Sequence, residues 1–135
     1  MASQFTHLGQ PGSQPTKELD TFPAPDVSLV SFSSAELTSH CPVTHQPDFY
    51  HITIEYVPAQ LCVESKSLKL YLQTFRDSAQ FAEALAAEIA RDLAAALKPR
   101  SLRVMLTQQV RGGLELLAVS EAGDSKVALG VFIGK

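Results

Sequence analysis

The nine residues Phe49-Tyr50-His51-Ile52-Thr53-Ile54-Glu55-Tyr56-Val57 alternate cleanly, Tyr50, Ile52, Ile54 and Tyr56 against His51, Thr53 and Glu55. A period of two puts each set on its own face, so the segment reads as a half-buried strand, ended by Pro58. Upstream, Val27 to Phe32 is β-rich and reads as an earlier strand, while Ser33 to Asp48, with Pro42 and Pro47, reads as a loop. Downstream the period lengthens. Leu68, Tyr71, Leu72 and Phe75 give the three-to-four spacing of a short helix over Ser65 to Phe75. Asp77 with Gln80 forms an N-terminal box for a longer helix, in which Phe81, Leu85, Ile89, Leu93 and Leu97 recur every fourth residue among alanines until Lys98-Pro99. Alternation returns in Leu102 to Val110 and Leu114 to Ser120, and Arg111-Gly112-Gly113 between them predicts a glycine-turn hairpin. Val127 to Ile133 is an optional edge strand. Two strands, two helices and two strands predict an α+β domain with both helices on one face of an antiparallel sheet.

The first 26 residues stand apart, with Pro11, Pro15, Pro23 and Pro25 and little periodicity. They read as an N-terminal arm or flexible leader (1–26) before a single domain (27–135), with Phe5, Leu8, Leu19 and Phe22 available to dock on a neighbouring surface. The 135 residues suit one domain with a core of its own. A net charge of −3 argues against a partner gripped mainly through phosphates, such as nucleic acid. No apolar run reaches bilayer length and no signal peptide is apparent, so the expected setting is cytoplasmic, with no membrane partner. Two cysteines, Cys41 and Cys62, make no disulfide framework.

Chemistry concentrates in His40-Cys41-Pro42-Val43-Thr44-His45-Gln46-Pro47-Asp48-Phe49. A cysteine in a proline-stiffened loop is a candidate nucleophile, and the carboxylate seven residues later is a candidate proton donor. The bland alternative is a small buried cysteine and a strand cap. His40, Cys41, His45 and His51 are capable of holding a metal, yet their spacing matches no paired-ligand pattern and no metal is expected. In Glu64-Ser65-Lys66-Ser67-Leu68-Lys69-Leu70-Tyr71, Lys66 and Lys69 share a helix face near its start, where unpaired N–H groups favour phosphate; a solvated charged face is the alternative. Arg111 is either a third phosphate contact or a turn residue. Glu83, one turn into the long helix, is either an acceptor for a heterocycle or a favourable charge at a helix start.

Taken together, Cys41-Pro42-Val43-Thr44 with Gln46-Pro47-Asp48-Phe49, then Val63-Glu64-Ser65-Lys66-Ser67-Leu68-Lys69-Leu70-Tyr71, then Phe75-Arg76, resemble the 7-cyano-7-deazaguanine reductases, the nitrile reductases of queuosine biosynthesis, in their short single-module form. The resemblance runs from about Leu8 to Gly113. It implies a tunnelling fold of ββααββ subunits that assemble into rings, with sites between subunits of a homo-oligomer. It implies reduction of a deazapurine nitrile to a primary amine with two NADPH, and no direct binding of tRNA, since the free base is modified before insertion. By the same resemblance Cys41 is the nucleophile of a covalent thioimide and Asp48 the proton donor. Val63, Glu64, Ser65 and Glu83 correspond to substrate contacts; Lys66, Ser67, Lys69 and Arg111 correspond to the NADPH site.

The residue types suit that chemistry. Thiolate addition turns a nitrile carbon into one that accepts hydride, and an acid must protonate the nitrogen. The sequence departs from the family's pattern at two places: His45 stands where glycine is usual, and Ala82 where a histidine precedes the substrate-binding glutamate. The expectation drawn from this pair is that the His45 ring reaches back into the pocket and replaces the lost imidazole. Leu85 stands where short-type relatives carry a second, shielding cysteine, so Cys41 is expected to oxidise more readily. Two other readings compete: an amidine-forming transferase of the archaeosine type, using the same thioimide with ammonia as nucleophile, and a non-catalytic deazapurine-binding protein.

Overall fold

The computed structural model describes residues 5–9 and 12–124. In chain order the elements are β1 (Thr21–Pro23), β2 (Val30–His40), β3 (Pro47–Val57), β4 (Leu61–Val63), α1 (Ser65–Gln73), a 3₁₀ turn (Thr74–Asp77), α2 (Ala82–Leu97), β5 (Ser101–Arg111) and β6 (Leu114–Gly123). Strands β2-β3-β5-β6 form one antiparallel sheet in that order, and β1 pairs with β4 in a second, two-stranded one. The α+β architecture and the helical pair on one face agree with the sequence reading; Val127 to Ile133 lies outside the described residues.

The alternation of β3 does what its period requires. Tyr50, Ile52, Ile54 and Tyr56 are all buried, and meet Leu85, Ile89, Leu93 and Leu97 from α2 in one core. Each such side chain removed from water contributes about 2 kcal/mol. The β5–β6 turn places Gly112 at φ 58° and Gly113 at φ 82°, the left-handed pair that a two-residue hairpin needs.

Two readings are corrected. The span Ser33 to Asp48 is mostly strand: β2 continues to His40 across an irregularity between Ser34 and Leu37, and β3 begins at Pro47. The irregularity breaks the period of two, and a serine-rich edge strand hides from a hydrophobicity pattern. The Asp77–Gln80 box does not form. Phe81 is the N-cap of α2, without a side-chain bond, and the Gln80 amide instead donates to Ser78 and Glu88. Of the two readings of the first 26 residues, docking arm or flexible leader, the described residues take the docking arm. Their strand β1 pairs with β4, Phe5 meets Phe22 edge-on at 6.0 Å, and the Lys17 ammonium lies 3.4 Å from the centre of the Phe75 ring.

Candidate active site

Because β2 and β3 are long, the loop Cys41–Gln46 closes a hairpin and holds Cys41 at one end of the sheet. The Cys41 N–H donates to the Gln46 carbonyl and the His45 N–H to the Cys41 carbonyl, both at 2.9 Å. Cys41 is only 7% exposed yet lies outside the core cluster, so its own turn shields it and not depth. That turn aims donors at the sulfur. The Thr44 hydroxyl, then the Thr44 and Val43 N–H groups, favour the thiolate against the opposing effect of burial, with Arg111 adding a weaker donor; the thiol comes down to about 7.

Asp48 is the second residue of β3 and extends the inward-facing set of Tyr50 and Ile52 by one step. It is 4% exposed, and the Arg111 guanidinium, at the end of β5, donates to its Oδ1 at 2.5 Å. Tyr50 completes this end. Its hydroxyl shares a 2.9 Å hydrogen bond with Ser39. Burial raises the phenol most; Asp48 and Cys41 add to this, while Ser39 and Arg111 oppose it. The His40 N–H donates to the Ser78 carbonyl and the Gln80 N–H to the His40 carbonyl, which ties the start of α2, and with it the exposed Glu83, to the same end.

The second motif gathers elsewhere. Val63 is buried, and its N–H donates to the Tyr56 hydroxyl at 3.0 Å. Glu64 is 4% exposed and caps α1: its two carboxylate oxygens accept from the Lys66 N–H at 2.8 Å and the Ser67 N–H at 2.9 Å. Ser67 is fully buried. Its hydroxyl accepts from the Asp20 N–H and donates to the Glu64 carbonyl, both at 2.9 Å, so it fastens the N-terminal segment to α1. Ser65 and Lys69 are exposed, on the rim of a groove of about 510 Å³ between β2 and α1. Gln73 and Arg76 continue that rim over an apolar floor that includes Leu37 and Ile54. Cationic rim, helix start and apolar floor together suit a phosphate-bearing, ring-bearing molecule such as a dinucleotide.

The two clusters stand at opposite ends of β3. From Asp48 to Tyr56, against whose hydroxyl Val63 sits, eight residues of strand span roughly 27 Å. Within one chain, therefore, Cys41, Asp48, Arg111 and the start of α2 form one group, and Val63, Glu64, Ser65 and Lys66 the other. Arg111 stands with Asp48, at the end of the chain away from Lys66 and Lys69. His45 departs from expectation. It is exposed, and its main chain, not its ring, is what meets Cys41 and His40. Its φ of 59° is left-handed, which explains glycine as the fitting residue there. Ala82 and Leu85 are both in the core, and Cys62, buried in β4, belongs to the far end. Thr44 and Tyr50 were missed as site residues. A hydroxyl three positions after the cysteine, and the inward set of β3 carried back to Asp48, were the available signals. Among the described residues no three histidine, cysteine or carboxylate side chains gather to hold a metal, and no helix is long and apolar enough to cross a membrane.

A family model described as QueF-like protein matches residues 47–127. The chain is 44% identical over 115 residues to an NADPH-dependent 7-cyano-7-deazaguanine reductase of Anaeromyxobacter dehalogenans, covering 83% of this chain and 94% of that protein. Proteins of the same name from Alkalilimnicola ehrlichii and Frankia casuarinae are each 45% identical, over 112 and 117 residues. They cover 81% and 86% of this chain, and 87% and 94% of their own lengths. Among solved structures, the apo form of the archaeosine synthase QueF-Like superposes with a TM-score of 0.69 at 24% identity, over 73% of this chain and 97% of that one. At that identity the likeness is one of fold.

Proposed function

Since this chain belongs to the QueF-like family, we propose that it reduces 7-cyano-7-deazaguanine to 7-aminomethyl-7-deazaguanine with NADPH, in the making of queuosine for tRNA. The single observation that carries the reading is a thiol at about 7 and a buried carboxylate held at the same sheet end, on the two strands of one hairpin. The Cys41 thiolate adds to the nitrile carbon, giving a thioimide on sulfur. Asp48 delivers the proton that the nitrogen takes up. The Cys41–Gln46 loop holds the sulfur in place while the bond forms. When bound, NADPH supplies the hydride, two equivalents for each nitrile.

Lys66 and Lys69 are assigned to its phosphates, with Ser67 holding the start of α1 in place. Val63, Glu64, Ser65 and Glu83 are assigned to the deazapurine, whose N–H groups a carboxylate accepts well. Because Glu64 and Cys41 lie at opposite ends of one chain, the complete site takes one end from each of two copies. The edges of the main sheet at β2 and β6, and the exposed Phe49, Leu117 and Val119 on the face away from the helices, support a homo-oligomer. The reaction belongs in the cytoplasm, on the free base, without a tRNA contact. The archaeosine synthase structure shares the fold alone and does not favour an amidine-forming transferase.

The test is absorbance. Protein mixed with the nitrile, without NADPH, gives a thioimide band that is lost in Cys41→Ala, and NADPH then disappears at two equivalents per nitrile. No band with the unaltered protein, or a band followed by uptake of ammonia in place of NADPH oxidation, would overturn the reading.

A further inference from the structure

The groove between β2 and α1 is larger than a pair of phosphates needs. It holds about 510 Å³, the scale of a bound nucleoside and not of an anion alone. Helical spacing sets its α1 side. Ser65, Lys69, Leu72 and Arg76 follow at intervals of four, three and four residues, and all four line it. Arg76 belongs to the 3₁₀ turn that prolongs α1, roughly 10 Å along the axis from Lys69. Its side chain is 60% exposed, and the Asp77 carboxylate meets it at 3.8 Å, outside hydrogen-bonding distance. The floor is apolar, with Leu37, Ile52, Ile54 and Leu68 buried beneath it. Phe32, partly buried, puts an aromatic ring on the β2 wall. The carboxylate among the lining residues is Glu36, exposed on the β2 side, so a bound anion is driven to the α1 side.

We infer that this groove seats the adenosine half of NADPH and that Arg76 is a specificity-determining residue, its guanidinium taking the 2′-phosphate that distinguishes NADPH from NADH. The inference rests on the reading of this chain as an NADPH-dependent nitrile reductase and deepens it. The order of groups along α1 carries it. The residues assigned to the deazapurine, Val63, Glu64 and Ser65, stand at the helix start, so the reacting ring of the dinucleotide belongs there. Lys66 and Lys69, assigned to the phosphates, come next. What remains of the molecule then runs along the helix toward Arg76, over the apolar floor. The adenine lies on that floor against Phe32, since a heterocycle stacks well on an aromatic ring. The 2′-phosphate is one sugar ring away from the diphosphate, within the span that the long side chains of Lys69 and Arg76 share. A guanidinium offers a phosphate two parallel N–H donors, which an ammonium does not. Glu36, on the opposite wall, disfavours the reverse placement, with the 2′-phosphate on the β2 side.

The experiment is calorimetric titration of the full chain with NADPH and with NADH, in the absence of the nitrile. It compares the unaltered protein with Arg76→Ala, Arg76→Lys and Phe32→Leu, each checked for folding by its melting temperature. In Arg76→Ala the Kd for NADPH is expected to rise at least about tenfold and that for NADH to stay within about twofold, so that the preference between the two dinucleotides collapses. Arg76→Lys should regain part of the NADPH affinity. Phe32→Leu, which keeps an apolar side chain and removes the ring, should weaken both dinucleotides by a similar factor, because both carry the adenine. An Arg76→Ala protein that loses NADPH and NADH equally, or loses neither, would overturn the assignment of the 2′-phosphate. A Phe32→Leu protein that binds both as before would take the adenine out of the groove. A failure of the underlying reading looks different: the unaltered protein then binds neither dinucleotide and forms no thioimide with the nitrile.

Discussion

Cys41 owes its character chiefly to two residues of its own loop, Thr44 and Val43. A thiol lowered from the ordinary value to about 7 is a group whose folded state favours the charged form. The stability it adds is fully present above the ordinary thiol value near 9 and is lost as the pH falls through about 7. Reactivity follows the same curve, because the thiolate is the nucleophile. Alkylation of Cys41 by iodoacetamide, followed by mass spectrometry, is expected to rise with a midpoint near pH 7, while Cys62, buried in β4, stays slow. Thr44→Val removes the largest stabilising donor, so its midpoint should move upward toward that of a free cysteine. An unchanged midpoint would show that the backbone N–H groups suffice. In the same loop His45 holds a left-handed conformation that costs a residue with a Cβ about 1 kcal/mol.

At the scale of elements, the start of α1 is a junction as much as a binding surface. Glu64 caps the helix, its N–H donates to the Asp20 carbonyl, and Ser67 receives the Asp20 N–H. The Asp20 carboxylate in turn accepts from the Thr6 and His7 N–H groups. The N-terminal segment therefore reaches the motif through a chain of bonds that begins at one buried hydroxyl. Ser67→Ala leaves the Asp20 N–H without its partner and is expected to cost about 1–3 kcal/mol. Limited proteolysis should then cut before Thr21 sooner than in the unaltered protein, ahead of any cut in β3 or α2. Equal cleavage rates would mean that β1 and Lys17 hold the segment without help from Ser67.

For the whole molecule, the fact of greatest consequence is that two functional clusters occupy opposite ends of one sheet. On the proposed function, a site that needs both takes them from different chains, and this has a quantitative signature. Cys41→Ala and Glu64→Gln should each be inactive alone. After subunits are exchanged by mild denaturation and renaturation, a 1:1 mixture should regain roughly one working site in four, the share of random pairings that unite an intact end from each parent. A mixture no more active than its parents would place both ends of the site within one chain.

What the sequence determined by itself was whatever depends on neighbours along the chain. The alternation of Phe49 to Val57, the four-residue spacing from Phe81 to Leu97 and the Gly112-Gly113 turn follow from local stereochemistry and from where apolar side chains must go. The motifs around Cys41 and Glu64 are short and continuous, so their residue types were legible too. Tertiary structure alone decided the rest, because those facts are pairings between distant segments. An irregular, serine-rich β2 is a strand only because β3 is beside it. The described part of the first 26 residues is held because Asp20 finds Ser67 and β1 finds β4. Arg111 meets Asp48 because the β3–β5 register brings those ends together. A pattern along one chain records which faces are apolar; it carries no record of which remote group will satisfy a buried charge.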